Sequence, residues 1–126
     1  MAATTNAVFG VRDPLGIRPL CLGRMDKAWI LASESCALDI IGAEFVRDVE
    51  PGEIVVLTND GIRSVKPFVK RPSRFCIFEY IYFARPDSVV EGTSVYEARK
   101  RIGSELARES LVEADVVVPV PDSGVP

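Results

Sequence analysis

Pro51-Gly52-Glu53-Ile54-Val55-Val56-Leu57-Thr58-Asn59-Asp60-Gly61-Ile62-Arg63-Ser64-Val65 is the stretch on which the fold turns. Pro51-Gly52 is turn chemistry, Ile54 to Leu57 is an apolar run of strand length, and Asn59-Asp60-Gly61 closes a hairpin onto Ile62 to Val65. Just upstream, Phe45, Arg47 and Val49 alternate with Val46 and Asp48, the period of a strand with two unlike faces. Farther back, Val8 to Val11, Pro19 to Leu22 and Trp29 to Leu31 are short apolar runs. Asp13-Pro14-Leu15-Gly16 separates the first two, with proline where its fixed φ suits a turn and glycine where φ can go positive. Ser33 and Ser35 are both able to cap a short helix through Cys36, Ala37, Leu38 and Ile41, which Gly42 ends. The first half therefore predicts an antiparallel β-meander with one short helix.

Downstream the character changes. Lys66 to Arg74 carries four cations and two prolines without periodicity and reads as a linker. Phe75 to Phe83 (Phe-Cys-Ile-Phe-Glu-Tyr-Ile-Tyr-Phe) then holds five of the nine Phe and Tyr residues of the chain. Ser94 with Glu97 forms a capping box, and Val95, Ala98, Ile102 and Leu106 make one apolar stripe on a helix running to about Glu109. Asp115 to Val120 has the look of a strand covered on both faces, and Pro121-Asp122-Ser123-Gly124 has the form of a strand-to-helix turn. A helix followed by a buried strand is the opening of an α/β unit whose sheet is not in this chain.

Composition narrows the chemistry. Of the 126 residues 48% are hydrophobic and 26% charged, enough to bury a core. The net charge of -3 supplies no field for nucleic acid or an anionic membrane, and no apolar run is long enough to span a bilayer. Histidine is absent, so neither a Ser-His-Asp nor a Cys-His nucleophile can be assembled. Cys21, Cys36 and Cys76 are too widely spaced for a zinc ribbon or a C-x-x-C redox motif, and they read as reduced thiols of a cytoplasmic protein.

Three blocks in order carry a resemblance: Arg12-Asp13-Pro14-Leu15-Gly16-Ile17-Arg18-Pro19-Leu20, then Ala32-Ser33-Glu34-Ser35, then Phe78-Glu79-Tyr80-Ile81-Tyr82-Phe83-Ala84-Arg85-Pro86-Asp87-Ser88. The chain resembles the glutamine phosphoribosylpyrophosphate amidotransferases, or amidophosphoribosyltransferases, of purine biosynthesis. The first block also occurs in related glutaminase domains; the third is the specific one. The resemblance implies an α+β architecture in an internal fragment. Residues 1–66 would be the later half of a glutaminase domain of the N-terminal-nucleophile type, 67–74 a linker, and 75–126 the first helix and strand of an α/β phosphoribosyltransferase domain.

The parent enzymes so implied are glutamine amidotransferases and glycosyltransferases that move ammonia from glutamine to phosphoribosylpyrophosphate. Their glutaminase uses an amino-terminal cysteine with its own α-amino group as base, whereas Met1 and Ala2 stand here. The Asp-Asp phosphate loop of the transferase would lie past Pro126. No catalytic residue is therefore assigned in this chain, which is expected to be inactive by itself. Glutamine and phosphoribosylpyrophosphate are the implied partners of the full-length parent, with Mg2+ as its cofactor and self-association as its expected state. From a different class, the chain would be a binding or scaffold module that keeps the β-layer without the chemistry.

Residue by residue, Arg12 and Asp13 read as architecture, the aspartate accepting backbone N–H groups and Arg18 a candidate ion partner. Glu34 reads as a helix-start carboxylate. Arg99, Lys100 and Arg101 point in three directions and read as a solvated face. By resemblance, Cys76 occupies the position of one ligand of the 4Fe-4S cluster that some members carry, and the other ligands would lie outside this chain. Phe78 and Tyr82, four apart, share a face of a short helix, whereas a strand would hold them about 13 Å apart. By resemblance again, these two line the apolar route of ammonia; by burial alone they are interdomain core.

Overall fold

In the computed structural model, which describes residues 1–126, the chain divides into Met1–Cys76 and Ile77–Pro126. The first unit holds β1 (Ala2–Ala3), β2 (Val8–Val11), β3 (Cys21–Met25), β4 (Ala28–Ala32), helix α1 (Ser35–Ile40), β5 (Glu44–Asp48), β6 (Ile54–Thr58) and β7 (Gly61–Val65). The hairpin predicted over 54–65 forms, with Thr58 opposite Gly61 and Ile54 opposite Val65. The meander does not. All pairings are antiparallel, but the strands sort into two sheets, β1-β2-β6-β7 and β4-β3-β5, so that β2 pairs across the chain with β6. Short-range turn signals give each strand but not its partner, and here the long-range pairing skips the β3-β4-β5 insert.

The two sheets face each other through Leu20, Leu22, Val49, Val55 and Leu57, with Trp29 and Leu31 packed at the margin. In β6 the alternation does the sorting: Val55 and Leu57 are buried, Ile54 and Val56 only partly so. Leu38 of α1 covers the other face of β3 and β4, against Cys21, Ala32 and Ala43. Gly23 is required there, because a Cβ would lie 2.5 Å from a Leu38 methyl. The alternation expected over 44–49 is broken by a bulge, since Leu22 faces Arg47 while Gly23 faces Phe45, leaving Val46 as the extra residue. The N-cap of helix α1 is Glu34 and not either serine, and the Glu34 side chain makes no capping bond; its carboxylate accepts the Cys36 thiol at 3.6 Å.

Residues 66–76 have no regular structure, and their last part returns to the first turn: Arg74 N–H donates to Leu15 O and Cys76 N–H to Ile17 O.

The second unit begins with a π-helical turn, Glu79–Phe83. A two-residue hairpin follows, β8 (Val89–Val90) and β9 (Thr93–Ser94), and then helix α2 (Val95–Glu109). The Ser94 side chain accepts the Glu97 N–H as the capping pattern predicts, and the helix ends where expected. Its stripe is less simple. Val95 is buried, while Ile102 and Leu106 are exposed.

The strand expected over 115–120 is not formed, and this corrects the expected opening helix-and-strand pair to a helix alone. Val116, Val117, Val118 and Val120 are each at least 73% exposed. A strand exists only with a partner to share its ladder, and without one the apolar run has neither ladder hydrogen bonds nor burial to hold it extended. The architecture is α+β, built on antiparallel sheets with few helices. No helix is long and apolar enough to cross a membrane.

Candidate functional site

The aromatic segment that stood out in the sequence becomes a tight turn. Phe78, in helical conformation, leads into it, and Tyr80 and Ile81 N–H both donate to Ile77 O. Ala84 N–H then donates to Glu79 O five residues back, at 3.0 Å, which makes the turn π and not α. The short helix expected over Phe78 to Tyr82 is thus found in its wider form. Phe83 is the ring that gathers its neighbours: its centroid lies 6.1 Å from Phe78 and 6.0 Å from Tyr82, the latter pair edge to face. Phe78 and Tyr82 are 53% and 68% exposed, so in this chain they are surface rings and not core. The Tyr80 hydroxyl turns inward and donates to Val90 O at 2.8 Å.

Arg99 holds this turn from α2, contrary to the solvated face read for residues 99–101. Its Nε donates to Tyr80 O at 2.7 Å and its Nη2 to Ala84 O at 2.6 Å, and the side chain is 7% exposed. Lys100 and Arg101 are exposed as expected. A sequence signal did exist: Arg99 is one turn after the buried Val95 and so lies on its face. Beside the turn is an open hollow of about 920 Å3, lined by Tyr82, Phe83, Arg85, Tyr96 and Arg99 and by residues 121–123, 125 and 126.

In the first unit, Arg12 and Asp13 are architecture as read. Asp13 accepts Leu15 N–H and Ile17 N–H, each at 2.9 Å, and Gly16 takes φ +61° to close the turn. Arg12 is buried and donates to three carbonyls, of Arg18 at 3.1 Å, Val49 at 2.8 Å and Gly16 at 3.3 Å. Arg18 offers Arg12 its carbonyl.

A second buried charge escaped the sequence reading altogether. Glu53, 1% exposed, accepts Arg47 through both oxygens at 2.6 and 2.9 Å, Ser64 Oγ at 2.6 Å and Glu50 N–H at 2.7 Å. The Arg47 bond above all holds the Glu53 carboxyl at about 2, with Ser64 and the Glu50 amide acting the same way against the cost of burial. Arg47 belongs to one sheet and Ser64 to the other, so this carboxylate fastens the two together. No local pattern announces it, since Glu53 and Ser64 are eleven residues apart.

Cys21 and Cys36 are buried and Cys76 half-buried. Burial first, and Asp48 second, push the Cys21 thiol up to about 11, which suits an inert core residue. No group of three or more Cys, Asp or Glu side chains is gathered as a metal site requires. A four-thiolate cluster therefore does not fit the thiols of this chain, to which Cys76 would bring one ligand.

No family model matches the chain. Curated relatives do. It is 54% identical over 121 residues to "Amidophosphoribosyltransferase" of Mycobacterium tuberculosis, covering 96% of this chain and 23% of that one. It is 54% identical to the protein of the same name from Archaeoglobus fulgidus, over 95% and 26% of the two chains. With that of Rhizobium etli the identity is 55% over all of this chain and 26% of the relative. Among solved structures, a glutamine phosphoribosylpyrophosphate amidotransferase from B. subtilis complexed with ADP and GMP superposes with a TM-score of 0.91 at 46% identity, covering 98% of this chain and 27% of that one. The chain spans about a quarter of the length of the curated relatives it matches, and the family read from its three sequence blocks is the one they bear. In sequence and in fold, these 126 residues are the counterpart of a quarter-length segment of an amidophosphoribosyltransferase.

Proposed function

We propose that the chain is part of an enzyme that releases ammonia from glutamine and adds it to phosphoribosylpyrophosphate, yielding phosphoribosylamine, glutamate and pyrophosphate. The observation that carries this reading is the match of the whole chain, at about 54% identity, to proteins named for that transfer, together with the 0.91 superposition. We assign residues 1–66 to the glutaminase side, 67–74 to the connection and 75–126 to the transferase side. The enzyme is placed in the cytoplasm as a homo-oligomer. Mg2+, and the remaining ligands of a cluster where one occurs, are assigned to the remainder of such an enzyme. A free-standing scaffold module is disfavoured, because each of these relatives carries the matched segment in a chain about four times as long.

Within that reaction, Phe78 and Tyr82 are assigned to the wall of the ammonia route. Ammonia attacks through its lone pair, and bulk water near neutral pH protonates that pair away. Aromatic walls exclude water and offer few hydrogen bonds, so they keep the nucleophile neutral until it reaches the sugar carbon from which pyrophosphate departs with the bonding electrons. Two exposed rings gathered about Phe83 on a tight turn suit a wall that faces something other than this chain.

The test is Phe78→Ala and Tyr82→Ala in a full-length enzyme carrying this segment. The expected result is uncoupling: glutamate forms in excess of phosphoribosylamine while glutamine cleavage persists and synthesis from added ammonium salt is retained. Equal product ratios in both folded variants overturn the assignment of these two residues.

A further inference from the structure

The π turn leaves a hydrogen-bonding problem that one side chain solves. In an α-helical turn Ala84 N–H would donate to Tyr80 O. Here it donates to Glu79 O, and Tyr80 O takes a side-chain donor. Arg99 supplies it with Nε and reaches Ala84 O with Nη2, at 2.7 and 2.6 Å. One planar guanidinium thus bridges two carbonyls four residues apart and does so while 7% exposed.

We infer that Arg99 is a positioning residue, which fixes the aromatic turn in its π register and through it sets the direction of Phe78 and Tyr82. Were the bridge lost, Ala84 N–H is free to return to Tyr80 O. That exchange of register turns the residues on one side of it by about 100° relative to those on the other. The edge-to-face contact of Tyr82 with Phe83 and the 6.1 Å spacing of Phe83 from Phe78 both belong to the π register. The first turn of α2 is tied to the residues just after the π turn, Val95 N–H donating to Ser88 O and Tyr96 N–H to Pro86 O, which holds Arg99 beside it. Charge alone does not suffice. A lysine ammonium is a point donor on a flexible stem and does not span two carbonyls as the fork does.

The functional consequence rests on the ammonia-route reading of Phe78 and Tyr82, but the positioning itself does not, and the two are tested apart. In a full-length amidophosphoribosyltransferase carrying this segment, Arg99→Lys and Arg99→Met are compared with the parent by amide hydrogen exchange. The expected result is exchange about tenfold faster in the peptide spanning residues 79–84 for both variants, with the sheets of residues 1–76 unchanged. Arg99→Lys, which keeps the charge and the stem, carries the test if Arg99→Met does not fold. In the same samples the one-to-one ratio of glutamate to phosphoribosylamine is expected to be lost, while synthesis from added ammonium salt is kept. Unchanged exchange in residues 79–84 overturns the positioning role. Equal products in folded Arg99→Lys, with Phe78→Ala and Tyr82→Ala uncoupled, overturn its consequence for the rings. Equal products in the ring variants overturn the route reading instead, and the exchange data then decide the role of Arg99 alone.

Discussion

Glu53 is the residue whose chemistry most directly sets the conditions under which the first unit stands. Its carboxyl is held at about 2, below its ordinary value of 4.5, so the stabilisation is fully present above about pH 4.5 and is lost as pH falls toward 2. Glu53→Gln keeps the shape but loses the charge that Arg47 and Ser64 hold, and is expected to cost about 3 kcal/mol at pH 7. Urea unfolding followed by Trp29, half-buried at the margin of the intersheet core, measures it. The gap between the two proteins should be widest at pH 7 and narrow steadily from pH 4.5 downward; a gap independent of pH contradicts the assignment. What was legible at this scale was local. Asp13 and Gly16 close a turn with partners no more than four residues away, and turn chemistry found them. Arg12 to Val49 and Arg99 to Ala84 are separated by 37 and 15 residues, and such partners are set by folding, not by spacing.

Among the elements, α2 was the most readable because its cap and its stripe are written within one helix, and both of its ends fell where the sequence placed them. Gly103 sits in its interior with nothing within 4 Å of an added Cβ and with no positive φ to protect. Gly103→Ala is therefore expected to stabilise the second unit by about 0.5–1 kcal/mol, through a smaller loss of backbone freedom on folding. A raised helix signal and a higher melting midpoint check it, and a fall in either would show that a neighbour needs the space. The strands were legible one at a time, but the sheet order was not. Turn signals report which residues reverse direction, whereas the pairing of β2 with β6 depends on which apolar faces meet. The failed strand at 115–120 teaches the same lesson from the other side, since its apolar pattern is real and its partner is what it lacks.

For the molecule as a whole, the exposed apolar surface is the property that governs behaviour in solution. Ile102 and Leu106 on α2, Phe78 and Tyr82 on the π turn, and Val116 to Val118 are all exposed, more than scattered surface residues account for. The isolated 126-residue chain is expected to associate at micromolar concentration, and sedimentation velocity across a dilution series reads it; a single stable monomer throughout would contradict the expectation. The arginine bridge has a mechanical side as well. Ten residues of α2 extend past Arg99, an arm of about 15 Å at the usual helical rise. The guanidinium ties the near end of that arm to two backbone carbonyls of the turn that carries the aromatic rings. A ligand or neighbour that tilts the far end would therefore swing the rings as a crank turns its shaft, and would change the bore of any passage they line from well outside it.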